Sequence, residues 1–334
     1  MANYDPEGEV ELEPWTPPPD VTRHNGQPLP PEWTFFVAPP DGLGRILTAE
    51  TTLRDNREEM PYLARWLVRL GLTGLGIVGG HALGRAAEGQ LVGTPLPLTL
   101  ALLMGVLGLL LGWLATRFRH VCTFVGEHGA AECSISGSRR AVPTDKVLLF
   151  EDVTELRAGR TMQYYNGLYT ATTFDMTWTD GGGVKRFRRK GSYYSKKDMP
   201  RARNSYWFAN SAETAWTAWL LERTPQLLDE QGWLEFRVHK KDAVRVAPGY
   251  LEFRLAGRVD RVPAEQIRDL GVQDGRFSIK THEARWFSSA GKFTFDANAV
   301  SNLRVFEFAL IHLLPGLHGE QAADEPTARS PLES

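Results

Sequence analysis

Residues 96–115 read LPLTLALLMGVLGLLLGWLA, and this stretch decides where the rest of the molecule sits. No charged residue occurs from Gly89 to Thr116. A helix of about 20 such residues spans the ~30 Å hydrocarbon layer of a bilayer. A soluble helix keeps a polar face, and none can be drawn here. Pro95 and Pro97 stand at its start, where a missing N–H costs least. The segment reads as a membrane span.

Working back along the chain, Trp66–Leu83 reads as its partner. The uncharged part, Leu70–Gly84, is bounded by Arg69 and Arg85, whose long side chains can snorkel to the two interfaces. Gly76, Gly80 and Gly84 recur every fourth residue, and Gly108 and Gly112 repeat the spacing on the second segment. Small residues at that interval let two membrane helices approach closely. Trp66 and Trp113 fall near one interface if the chain doubles back, as anchors of an aromatic belt. The competing reading is one span preceded by an interfacial helix. His81 reads first as a polar contact between the helices, with a functional ionisable group as the alternative.

Arg54, Arg57, Arg65 and Arg69 precede the hairpin, Arg117 and Arg119 follow it, and Arg85 alone lies between the spans. The positive-inside rule then places both termini in the cytoplasm, in an inner (plasma) membrane protein. Cys122 and Cys133 are the only cysteines, too few for a disulfide framework, and read as structural thiols in a reducing compartment. The formal net charge of −2 hides an acidic stretch over residues 1–20 and a basic one over 183–203.

Outward from the hairpin, residues 1–60 form a Pro-rich, acidic segment expected to be largely disordered, because proline fixes φ and removes a donor. Trp15, Trp33, Phe35 and Phe36 are odd in such a tail, and either dock on a surface or stand as stray aromatics. After residue 120 the pattern turns to strands. Val121–Val125, Ala131–Ser136, Val147–Phe150, Glu155–Tyr165, Leu168–Trp178, Val184–Lys190 and Tyr206–Phe208 give seven, with a two-residue hairpin at Asn166-Gly167. An amphipathic helix follows from Asn210, with Glu213 as its capping-box partner. The scheme then repeats with six strands and a helix near Ala299–Leu314, Ile267–Val272 being a candidate seventh strand. Residues 316–334 read as a second disordered tail.

A helix that closes one end of a strongly bent sheet resembles the plan of pleckstrin-homology-like domains, over about residues 120–315. The likeness rests on the hairpin Tyr164–Tyr169, the Asp180-Gly181 turn and the helix bearing Trp216 and Trp219. In the second unit it rests on the Pro248-Gly249 turn and the last helix. It implies two tandem barrels (120–230 and 232–315), each closed by a C-terminal helix; with the two-helix transmembrane hairpin (61–118) read from the apolar segments, the expected fold is a membrane-anchored, mainly β (α+β) protein. Domains of this kind commonly bind lipid headgroups or peptides, and the resemblance supplies no catalytic residue.

Chemistry is hard to find. Gly74–Gly79 fits G-x-G-x-x-G, but it lies inside an apolar run with no acid about 20 residues on, so helix packing explains it better than a dinucleotide. No P-loop, H-E-x-x-H or G-x-S-x-G occurs, and no cofactor or metal is expected. One constellation stands out: Lys185, Arg186, Arg188, Arg189, Lys190, Lys196, Lys197, Arg201 and Arg203, interleaved with Phe187, Tyr193 and Tyr194. Near a cytoplasmic leaflet such cations attract anionic headgroups. Solvation, or pairing with the acidic N-terminal segment, competes with that reading. Nucleic acid is disfavoured for want of a wider basic face. The expectation is a non-enzymatic binding or adaptor protein contacting the lipid bilayer, anionic headgroups or a protein partner. A self-assembling, homo-oligomeric scaffold and an enzyme with a dispersed site are the alternatives.

Overall fold

The computed structural model describes residues 14–52, 62–88, 96–116, 119–136, 144–195, 200–202, 204–239, 241–273, 275–285, 287 and 290–314. The first strand comes before the apolar helices. The chain runs β1 (Ile46–Thr51), α1 (Tyr62–Glu88), α2 (Leu96–Thr116), β2 (Arg119–Gly126), β3 (Gly129–Ser136) and β4 (Thr144–Leu149). These four strands form one antiparallel meander in chain order, β1 pairing with β2 from Ile46↔Gly126 to Thr51↔Cys122. The two helices are therefore an insertion between neighbouring strands. Both are long and apolar enough to cross a membrane.

A second meander follows, β5 (Glu155–Tyr165), β6 (Leu168–Thr179) and β7 (Lys185–Tyr193), closed by α3 (Tyr206–Gln231). Asn166 and Gly167 join β5 to β6 with φ of 49° and 77°, the left-handed pair a two-residue turn requires. The next stretch repeats the scheme. Strands β8 (Leu234–Arg237), β9 (Ala243–Ala247), β10 (Tyr250–Leu255) and β11 (Arg258–Pro263) form a four-stranded sheet. Strands β12 (Ile267–Gln273), β13 (Arg276–Thr281) and β14 (Lys292–Asp296) form a three-stranded one, and α4 (Leu303–Leu313) ends it. Each unit is thus four strands, three strands and a helix. Among the described residues strand pairing stops at the edges of these sheets, so the closed barrels expected from sequence are replaced by separate facing sheets.

Three other expectations are corrected. Tyr206–Phe208 is the first turn of α3, not a strand; the Asn204 side chain accepts the Tyr206 N–H at 2.9 Å and starts the helix there. The seventh strand of the first unit is β1, so that unit does not begin at residue 120. In the second unit β12 supplies the strand that the sequence left in doubt. Residues 14–52 are not an unpacked tail either: Val21, Phe35, Phe36 and Leu43 are buried against Phe124, Ala131 and Ile135 on one face of the first sheet. Proline bars regular elements but not burial, and Trp15, in edge-on contact with Phe35 and Phe124, lies against this core. Residues 1–13, 53–61 and 315–334 lie outside the described residues.

With one face of the first sheet covered by this strap, the other packs on β5–β7 and α3 around Phe150, Met176, Trp178 and Trp216. Both faces being buried explains why β3 reads as a continuous run of buried residues rather than an alternation. The second unit has its own core, with Phe253, Phe277 and Phe306 at its centre.

Candidate functional site

The hairpin of α1 and α2 is built inside out. Large side chains point away from the protein, with Leu67 70%, Val78 69%, Leu98 65% and Val106 66% exposed. Pro97, Ala101, Gly105, Gly108, Gly112 and Thr116 of α2 are buried instead. A Cβ on Gly76 would overlap the Met104 carbonyl, one on Gly80 the Leu100 carbonyl, and one on Gly108 the Leu72 carbonyl. On Gly84 it would meet Pro97, and on Gly112 it would sit 2.9 Å from the Arg69 Cα. These partners run in opposite senses along the two helices, which therefore touch backbone to backbone as an antiparallel pair. Gly105, against Ile77, belongs to the same seam and was not singled out from sequence.

At one end of the hairpin Arg69 donates from Nε to Thr116 Oγ1 at 2.8 Å and lies 5.6 Å from the Trp66 ring. Trp113 is three residues from Thr116, and both tryptophans are part-exposed, Trp66 at 40% and Trp113 at 43%. His81 is exposed on α1 and so does not serve as the contact between the two helices.

The basic stretch is less free than its sequence suggests. On β7, Arg186 pairs with Asp180 at 2.9 Å, Arg188 makes two bonds to Asp175, and Arg189 pairs with the buried Glu132 of β3. The Arg188 hydrogen bond holds the Asp175 carboxyl below the usual carboxylate range, and the Val184 N–H does the same for Asp180. Lys185 and Lys190 are exposed, as is Arg201. Lys196, Lys197 and Arg203 lie outside the described residues. Phe187 and Tyr193, interleaved with these cations, are core residues.

A groove of about 690 Å³ opens between this sheet and the second unit. Arg157, Lys185, Arg188 and Arg237 line it together with Glu155 and Asp175, four cations against two carboxylates. Arg237 pairs with Glu155 at 3.0 Å across the two units. Among the described residues no cluster of three His, Cys, Asp or Glu side chains is placed to hold a metal ion.

The residues that sequence reading missed are polar and buried. His24, in the strap, contacts Thr48 Oγ1 at 2.7 Å through Nδ1 and Thr123 Oγ1 at 2.8 Å through Nε2. Its neighbour Arg23 donates to Glu50 at 3.1 Å and to the Ala202 carbonyl at 3.1 Å. Burial, with Arg23 and Arg189 close by, pushes the His24 imidazole down to about 3. A neutral buried histidine contributes stability above its unfolded pKa near 6.5, and that contribution fades as pH falls toward 3. Acidification to pH 5 is expected to cost about 2 kcal/mol through this residue. Comparing urea midpoints at pH 7.5 and pH 5 for the natural chain and His24→Gln checks this, the variant showing the smaller loss. Cys122 and Cys133 are directly opposed on β2 and β3, so register makes them the close pair that eleven residues of separation had concealed. Both are buried free thiols, and burial pushes Cys122 up to about 11.

No protein-family model and no curated protein matches the chain.

Proposed function

We propose that this chain is an integral membrane protein whose helical hairpin crosses the bilayer twice and holds two pleckstrin-homology-like units at the cytoplasmic surface as binding modules. The observation that carries the reading is the inverted packing of α1 on α2, with glycine inside and leucine outside. In water such a surface is a liability, whereas in lipid it is the expected one. The pairing of Thr51 with Cys122 brings both ends of the hairpin to one side, which fits an even number of crossings. The arginines flanking the hairpin favour the cytoplasm for that side. The repeated plan of four strands, three strands and a helix supports the pleckstrin-homology-like reading of both units.

The same geometry favours binding over catalysis. Of the groove's cations Arg157 and Arg237 pair with Glu155 and Arg188 pairs with Asp175, whereas Lys185 and, further along the same strand, Lys190 are exposed for an anionic partner such as a lipid headgroup. Each such cation contributes about 1 kcal/mol near an anionic surface, so losing both costs about 2 kcal/mol, roughly a thirtyfold change in affinity. The test is a titration of full-length protein in neutral-lipid nanodiscs with a water-soluble, short-chain phosphoinositide. Salt-sensitive binding that weakens by that factor in Lys185→Gln/Lys190→Gln is expected. Equal binding by both proteins, or none by the natural chain, would refute the headgroup reading.

A further inference from the structure

The β5–β6 hairpin outruns the body of its unit. From Arg160 to Leu168 every residue is exposed, on both faces of the ribbon, whereas Leu156 and Phe174 nearer the base are buried. β7 ends at Tyr193, opposite Thr172, so the outer part of the hairpin is a two-stranded ribbon. Isolated ribbons of that kind are marginal in water. This one carries no charged residue from Thr161 to Phe174, and its tip presents Tyr164, Tyr165 and Leu168 at 61%, 71% and 73% exposure. A solvated tip would be expected to carry charge, and this one carries the residue type that favours a bilayer interface.

The direction of the ribbon follows from contacts. Trp216 of α3 packs on Phe150, at the end of the first sheet remote from the helices, and Arg23 ties Ala202 to Glu50 near the end of β1 that leads to them. α3 therefore runs, from Trp216 back to Tyr206, toward the helices. β5 follows the same course. Its Leu156 N–H shares the Asn302 side chain with Trp216, and its Arg160 lies 5.1 Å from the Tyr206 ring. Tyr165 is five residues further on, about 17 Å beyond Tyr206 at strand rise. On the other side only two residues separate Thr116 of α2 from Arg119 of β2, so the sheet begins close to the helix end.

We infer that the tip of the β5–β6 hairpin is a second membrane contact, inserting Tyr164, Tyr165 and Leu168 among the headgroups of the bilayer that α1 and α2 cross. The contact rests on the membrane-anchored reading above. It is shallow by necessity, because the ribbon's open edges carry unpaired N–H and C=O groups that hydrocarbon does not tolerate. Two attachments, the hairpin helices and this tip, fix the tilt of the first unit and hence the direction its basic groove faces.

The test uses full-length protein in nanodiscs, labelled with a polarity-sensitive fluorophore at Leu168→Cys or, separately, Tyr165→Cys, both exposed positions whose replacement leaves the core intact. Cys122 and Cys133 are buried and stay unlabelled in the folded protein. A third protein, labelled at Leu103→Cys on the exposed face of α2, reports on the anchor itself. The expected result is a blue shift and loss of emission at both tip sites when lipids bearing a quencher near the glycerol backbone are added. Tip labels that stay water-like while the Leu103 label shows blue-shifted, apolar emission would overturn the tip contact and leave the anchor standing. Water-like emission at all three positions would remove the anchor, and the tip contact with it.

Discussion

A chain in which residues 53–118 are replaced by a short glycine–serine turn is expected to fold as a water-soluble protein, whereas a fragment beginning at residue 120 is expected to fail. The strand ends flanking the insertion are already in hydrogen-bond contact. Thr52 N–H donates to the Val121 carbonyl at 2.9 Å, and Val121 N–H donates to Thr52 Oγ1 at 2.9 Å, so a turn of a few residues closes the gap. The fragment from residue 120 lacks β1 and the strap. It bares the edge of β2 and uncovers Phe124 and Ile135, which Val21, Phe35, Phe36 and Leu43 otherwise shield. At about 1.5–3 kcal/mol per buried side chain, loss of those four alone removes on the order of 6–12 kcal/mol, comparable to the whole stability of a domain. Size-exclusion chromatography and circular dichroism of the two proteins decide the matter. A well-folded 120–334 fragment would contradict the architecture.

The second large effect is expected at Asn302. This residue precedes α4 with φ of 52°, and its side chain joins the two units. Its Oδ1 accepts from the Leu156 N–H at 2.8 Å and from Trp216 Nε1 at 2.9 Å, while Nδ2 donates to the Thr154 carbonyl at 3.0 Å. Asn302→Ala strands the indole N–H of the fully buried Trp216 and puts a less tolerant residue in the left-handed region. A loss of about 3–5 kcal/mol is expected, with the second unit uncoupled from the first. Asn302→Asp keeps both acceptor bonds and is expected to lose only about 1–2 kcal/mol. Urea unfolding of the helix-deleted protein measures both, and equal losses would show that the bonds to Asn302 do not hold the interface.

What the sequence made legible follows the strength of each local signal. The apolar helices, the glycine interval and the Asn166-Gly167 turn are short-range patterns, and the structure has a helix or a turn at each. The first unit's seventh strand was hidden because its partner lies some seventy residues away, across the inserted helices, and Ile46–Thr51 follows a proline-rich stretch that ends at Pro40. The strap was misread because proline content reports on regular elements and is silent about burial. The basic stretch looked unbalanced because Asp175 and Glu132 come from other strands and only strand pairing brings them to Arg188 and Arg189, while Asp180, in the turn before β7, folds back onto Arg186. His24 and the Cys122–Cys133 pair were invisible for the same reason.

The central claim is that lipid solvates the outward face of α1 and α2. Its most direct test is to express the full-length protein, wash the membranes at alkaline pH, and float them on a density gradient. The protein is expected to rise with the lipid and to leave it only in detergent. A protein recovered in the supernatant as a monodisperse species without detergent would contradict the claim.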